Sequence, residues 1–168
     1  MSSFVITVFR FIIIVVIQVL LLNNLYLWQS INPLLYLFFI IKLPYQTPRW
    51  ALLLWGFALG LTIDLFCGTP GMNAAATVLA SFARPLILQM ATGRRDPDNT
   101  SSPSIREMGS GWFILVVMIT LVHHLTLFLL EDFGNGQWGI IFLRTLTSGI
   151  ATVALLTLTE YLVARVKS

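Results

Sequence analysis

A small set of charged and polar residues interrupts an otherwise apolar chain, and any chemistry must lie with them. Arg10, Asp64, Arg84, Arg144 and Glu160 stand inside apolar stretches, and His123 and His124 sit side by side in another. An ionised side chain near the bilayer centre costs about 2.5–3.5 kcal/mol on insertion scales, so it normally faces a partner or a cavity. The positions suggest two ion pairs, Asp64 with Arg144 in one half of the membrane and Arg10 with Glu160 in the other. Each pair is either structural, fixing helix register, or part of a site. Arg10 has the further option of extending to the headgroups. Arg84 precedes Pro85, which removes an intrahelical hydrogen bond and marks a kink. A buried Arg84 is then a hydrogen-bonding hub or a site residue. Adjacent histidines point about 100° apart on a helix, whereas a metal pair uses i, i+3 or i, i+4 spacing. The single cysteine, Cys67, excludes an intramolecular disulfide and a multi-cysteine metal site. Nucleophile elbow, zinc-protease helix and P-loop patterns are missing, so no catalytic, cofactor-binding or metal set is expected.

These residues are carried by six apolar stretches, at about 4–22, 31–43, 50–66, 72–90, 112–130 and 138–163. The chain of 168 residues is 57% hydrophobic and only 10% charged, against about 25% charged in soluble domains. Together they predict an all-α polytopic membrane protein, one integral domain over 1–168, with no sizeable soluble part. The N-terminal stretch is read as the first span, since Asn23 and Asn24 follow it where a cleavage site would stand. The second stretch is the weakest. As a helix it covers about 20 Å, short of the roughly 30 Å hydrocarbon core, and it opens with Asn32-Pro33. It either begins earlier, near Leu25, or is partly re-entrant.

Basic residues gather in every second connector: Lys42 and Arg49, then Arg94, Arg95 and Arg106, then Arg165 and Lys167 in the tail. The positive-inside rule makes those connectors and both termini cytoplasmic. The net charge of +3 is a topology signal, with no basic face for nucleic acid. The longest connector, 92–111, is rich in Pro, Ser, Asn, Asp and Arg and reads as flexible. Gly68-Thr69-Pro70-Gly71 has the Pro-Gly order of a type II turn and closes a tight hairpin between spans three and four. Gly56 and Gly60 form a Gly-x-x-x-Gly pair, a weak dimerisation signal; Ala74-Ala75-Ala76 and Ala80 offer span four a small-residue surface to pack on it. Gln18, Asn23 and Asn24 are available for hydrogen bonds across helices.

Read in order, several pieces resemble the rod shape-determining MreD family of bacterial membrane proteins. Arg10 precedes an aliphatic run containing Gln18 and ending at Leu22-Asn23. Asn32-Pro33-Leu34-Leu35-Tyr36, Lys42-Leu43-Pro44 and Pro48-Arg49-Trp50 follow. The most specific piece runs from Gly56 through Asp64 and the Gly68–Gly71 turn to Ala74-Ala75-Ala76, and Arg84-Pro85 closes the region. The match covers roughly residues 10–90; spans five and six agree in number and hydropathy only. The resemblance implies a non-enzymatic inner-membrane scaffold of the cell-elongation complex. Its implied partners are an MreC-like bitopic protein, a RodA-type glycosyltransferase, a class B penicillin-binding transpeptidase and, directly or indirectly, the MreB filament; membrane lipid is a further contact. It also implies a fold similar to the six-helix substrate-binding subunits of energy-coupling-factor transporters. Arg10, Asp64, Gly68, Gly71, Arg84, Arg144 and Glu160 are the structural or partner-binding candidates. The competing reading is a substrate-binding membrane subunit of a small-molecule (vitamin) transporter. Against it, Phe11 to Leu22 lacks the small-residue face such subunits use to dock.

Overall fold

The structure, a computed structural model, describes residues 3–22, 32–93, 101–132, 134, 136 and 138–166. Asn23, Asn24, Arg94, Arg95 and Lys167 lie outside them. Among the described residues seven α-helices follow in order: α1 (Ser3–Ile17), continued by a wider π turn over Gln18–Leu22, α2 (Leu37–Ile41), α3 (Arg49–Cys67), α4 (Met72–Thr92), α5 (Ile105–Met108), α6 (Ser110–Glu131) and α7 (Trp138–Val166). Among the described residues five segments are long and apolar enough to cross a bilayer: Phe4–Leu22, Arg49–Cys67, Met72–Thr92, Ser110–Glu131 and Trp138–Arg165. The chain is a multi-pass helical membrane protein. Their outward faces are apolar, with Phe9, Leu65, Phe82 and Phe142 each more than 60% exposed, as a lipid-facing surface requires.

The expected second span is corrected. In place of a helix over 31–43, the helix covers only Leu37–Ile41, and 32–34 carry no regular structure. Thirteen residues opening on Asn-Pro and closing on Lys-Leu-Pro are too few for a crossing helix, and proline at 33 and 44 cannot donate to one. The segment instead threads the middle of the bundle. Residues 33–43 are all buried, and Tyr36, Leu37, Phe39, Ile40 and Ile41 have no exposed surface. Irregular backbone at membrane depth is tolerated only where protein encloses it, and the five long helices form that enclosure. Phe39 meets Phe11 of α1 and Trp55 of α3 with ring centroids 5.4 Å apart in both cases. Phe11 and Trp55 complete the triangle at 5.8 Å.

Glycines close the α3–α4 hairpin at the positions the sequence marks, but the expected type II turn is corrected. Gly68 caps α3 in the left-handed region at φ 67°, and Gly71, at φ 84°, donates its N–H to Thr69 O at 3.0 Å, a three-residue γ-turn about Pro70. Both conformations favour glycine because a Cβ would clash with its own backbone. The Gly-x-x-x-Gly pair faces inward and serves this hairpin. A Cβ on Gly60 would fall 2.4 Å from Ala74 Cα, and one on Gly56 would fall 2.3 Å from Ser81 Oγ. The small residues of α4 and the glycines of α3 therefore pack on each other, as the sequence suggested. Gly111 repeats the device between α6 and α4, where a Cβ would lie 2.2 Å from the Ala91 carbonyl oxygen.

Of the connector read as flexible, 94–100 lie outside the described residues, and 101–109 are held by hydrogen bonds. Tyr45 N–H donates to Ser101 O, Lys42 Nζ donates to Pro103 O, and Arg106 donates to Ala164 O. The hydroxyl of Ser104 caps α5 by accepting Glu107 N–H.

The glycine packing gives a direct test. Gly60→Ala forces backbone apart at Ala74, and overpacking of this kind costs about 1–3 kcal/mol. Its thermal midpoint in detergent should fall clearly below wild type. Gly139→Ala, where an added Cβ meets nothing within 4 Å, should leave it unchanged. Equal midpoints for the two variants would contradict the α3–α4 contact.

Candidate functional site

The buried segment is held at both ends by side chains. At its N-terminal end the backbone donors outnumber local acceptors. Asn32 N–H goes to Ser148 Oγ (3.2 Å) and Leu34 N–H to Thr152 Oγ1 (3.0 Å), both on α7. Gln18, in the π turn that continues α1, accepts from Leu35 N–H (2.7 Å) and Tyr36 N–H (3.4 Å) at Oε1, and donates through Nε2 to Pro33 O (3.3 Å). At the C-terminal end the carbonyls are left over. Arg10 donates to Lys42 O at 2.9 Å, and one Arg84 nitrogen serves both Ile41 O and Leu43 O. Three successive carbonyls thus meet guanidinium groups from α1 and α4. Cations at a helix C-terminus also complement its dipole. A buried arginine becomes tolerable because the last residue of α2 and the two after it supply acceptors.

Asp64 does the corresponding work for α4. Gly71 opens that helix with no side chain to cap it. Asp64 Oδ1 accepts Asn73 N–H (3.0 Å) and Oδ2 accepts Ala74 N–H (2.8 Å). The Thr69 hydroxyl and Asn73 Nδ2 also donate to Oδ1. First-turn N–H groups are the usual target of a capping carboxylate; here the carboxylate reaches across the turn from the end of α3. The expected Asp64–Arg144 pair is therefore corrected. Arg144 pairs with Glu131 (2.7 Å) and Asp132 (3.4 Å) and stacks over Phe128 at 4.4 Å. Asp64 already has four donors, and the acids beside Arg144 lie at the end of α6, on the same hairpin.

The expected Arg10–Glu160 pair is corrected as well. Glu160 of α7 takes Lys42 of the buried segment, with Nζ at 3.1 and 3.2 Å from its two oxygens, and Ile105 N–H adds a further donor. Arg10 is directed at the Lys42 carbonyl rather than at the acid, so both residues converge on Lys42. The Lys42 ammonium also lies 5.6 Å from the Trp112 ring centroid, which helps a buried cation. Just beyond the segment, burial raises the Tyr45 phenol above its ordinary pKa, with Glu107 adding to the effect and Arg84 opposing it.

The two histidines are fully buried, and the hydrogen-bond network around His123 assigns its hydrogen. Asn73 gives its amide hydrogens to Asp64 and Thr69, so its Oδ1 accepts from the Tyr36 hydroxyl (2.9 Å). The Thr77 hydroxyl donates to Asn73 O (2.6 Å). His123 Nε2, at 2.9 Å from Tyr36 Oη and 3.3 Å from Thr77 Oγ1, must then carry the hydrogen that both oxygens accept. His123 Nδ1 is left bare and buried, with no partner. His124 Nδ1 lies 3.0 Å from Thr120 O. Its Nε2 lies 3.2 Å from the Thr152 hydroxyl, which also accepts from Leu34 N–H. The adjacent pair thus ties α6 to α4 on one side and to α7 on the other, with the buried segment between. Among the described residues no three His, Cys, Asp or Glu side chains converge to hold a metal.

The structure brings the sequence candidates together only through residues that sequence reasoning passed over. Asp64, Gly68 and Gly71 share the α3–α4 turn; Arg10, Arg84 and Glu160 share the end of the buried segment; Arg144 stands apart. Lys42, read as a connector charge, joins the second group. Tyr36 and Asn73 bridge the turn to the histidines. A visible signal existed for Ser148, Thr152 and Glu160, which recur at multiples of four along α7, and for Asn73, Thr77 and Ser81 along α4. Comparison with family models, curated proteins and solved structures finds no match for the chain.

The two corrected pairs predict independence. Asp64→Asn should lose about 1–2 kcal/mol through the cap. Combined with Arg144→Gln in a double-mutant cycle of unfolding in detergent, the losses should add to within about 0.5 kcal/mol. A larger coupling energy would put the two side chains back in contact.

Proposed function

We propose that this protein is a non-enzymatic scaffold of the bacterial cell-elongation complex, of the MreD type. It sits in the cytoplasmic membrane with both termini in the cytoplasm. Its partners are an MreC-like bitopic protein and, with it, the RodA-type glycosyltransferase, the class B penicillin-binding transpeptidase and the MreB filament. One observation carries the reading. The residues on which the resemblance rests are those that hold the architecture: Gln18 and Asn32 at one end of the buried segment, Arg10 and Arg84 at the other, Asp64 and Gly71 at the α3–α4 turn. A motif made of fold-holding residues suits a protein whose output is a shaped membrane surface. The topology is compatible: Arg10 of α1 and Glu160 of α7 meet at Lys42, so the N-terminal half of α1 and the C-terminal half of α7 share one end of the bundle with Lys42.

Affinity purification of the tagged protein from mild detergent tests the reading. Recovery of the MreC-like protein with the elongation synthases is the expected result. Recovery of an ATPase pair and its membrane coupling subunit, without cell-wall proteins, would assign the chain to transport instead. A fluorescent protein that folds only in the cytoplasm, fused after Ser168, should be bright; a dark, stable fusion would reverse the orientation.

A further inference from the structure

Two exposed arginines stand at one end of an apolar groove. α5 leads into α6 through Gly109, which closes the first helix and opens the second. Arg106 of α5 reaches across to α7 and donates to Ala164 O, and Arg165 is the next residue. Both arginines are exposed, and among the described residues neither forms an ion pair. A guanidinium has five N–H donors; the Ala164 carbonyl engages one nitrogen of Arg106. The acids close by are committed elsewhere or turned away. Glu160 is buried against Lys42, and Glu107, about 100° round α5 from Arg106, lies within electrostatic reach of Tyr45.

The groove itself runs between α6 and α7, encloses about 530 Å3 and is lined by Phe113, Val117, Gly149 and Val153 among others. Thr120, Thr145 and Thr157 also line it, but their hydroxyl oxygens are buried, so the surface it offers is carbon. Gly149 deepens it: a Cβ there would meet nothing nearer than Thr120 Cγ2 at 4.0 Å. Ala164 follows Thr157 by seven residues, about two turns, and so continues the groove face of α7. Arg106 therefore joins both walls about 11 Å beyond Thr157 along the helix. Tyr161 stands between, one turn from Thr157 and 62% exposed, as interfacial tyrosines do at headgroup level.

These features match one amphipathic shape. The hydrocarbon of one leaflet is about 15 Å deep, half of the roughly 30 Å core. From Thr157 to Gly149 the groove runs about 12 Å, so an acyl chain entering at Thr157 ends near Gly149. Its phosphate then lies at the level of Arg106 and Arg165, and guanidinium groups bind phosphate through paired N–H donors. Basic pockets between helices at the membrane surface select anionic headgroups. We infer that the α6–α7 pair binds one anionic glycerophospholipid, with an acyl chain in the groove and the phosphate between Arg106 and Arg165. The site does not depend on the scaffold reading.

Native mass spectrometry of the full-length protein in detergent, titrated with phosphatidylglycerol or with phosphatidylcholine of the same chains, tests it. One phosphatidylglycerol should bind in preference to phosphatidylcholine. A basic residue at the membrane surface is worth about a factor of five, so R106Q/R165Q should weaken phosphatidylglycerol binding about 25-fold and leave phosphatidylcholine unchanged. R106K/R165K, which keeps the charge, should retain most of the preference. R49Q, which removes an exposed arginine from α3, should bind like wild type. G149L, whose side chain enters the groove, should weaken both lipids without lowering the thermal midpoint. Equal losses in R49Q and R106Q would mean general surface charge and overturn the inference. So would wild-type binding by R106Q/R165Q or by G149L, or glycerol phosphate binding as tightly as the lipid.

Discussion

Inside a bilayer, backbone amides and carbonyls have no water to bond, and each one left open costs several kcal/mol. A crossing helix meets this requirement with its own residues. Residues 32–43 cannot, because they are too few and because Pro33 and Pro44 interrupt the ladder. Their N–H groups are taken by Gln18, Ser148 and Thr152, and their last carbonyls by Arg10 and Arg84. Five long helices close around this segment because it is the one part of the described chain that cannot face lipid.

That requirement explains a set of polar residues that would otherwise look like an active site. An arginine in α4, a glutamine in the π turn that continues α1 and hydroxyls along α7 all lie at membrane depth, where each would be costly alone. They become favourable when the partner is a carbonyl or an amide that also needs satisfying. The same economy operates at Asp64, which replaces the missing side-chain cap of α4. His123 and His124 then link the capped turn to the clamped segment through Tyr36 and Thr152. A helix shift at any one place would break bonds at the others, so the bundle behaves as a single rigid unit. Rigidity of this kind fits a protein that positions partners.

Much of this was legible in the sequence. The long spans stand out by hydropathy, and their ends agree with the helices to within a few residues. The Gly68–Gly71 turn and the glycine–alanine packing of α3 on α4 follow from residue type alone. The choice of ion pairs was not legible. Depth arguments place Asp64 with Arg144 and Arg10 with Glu160 because charge seeks charge, but they ignore backbone groups, which carry no letter in the sequence. Arg10 and Arg84 answer carbonyls, Asp64 answers amides, and Lys42 takes the acid that depth assigned to Arg10. The second segment was legible in part, as a stretch too short to cross, but the side chains that hold its backbone were not. Hydropathy marks it as apolar, and only the missing length and its flanking prolines hint that it is enclosed.

Hydrogen–deuterium exchange of the protein in lipid nanodiscs addresses the clamped segment most directly. The amides of Leu34, Leu35 and Tyr36 should exchange as slowly as those in the middle of α4 and α6, although no regular structure of their own protects Leu34 or Leu35. Exchange at those positions as fast as in a solvent-exposed loop would mean that Gln18 and Thr152 do not hold them, and the enclosed segment would have to be abandoned.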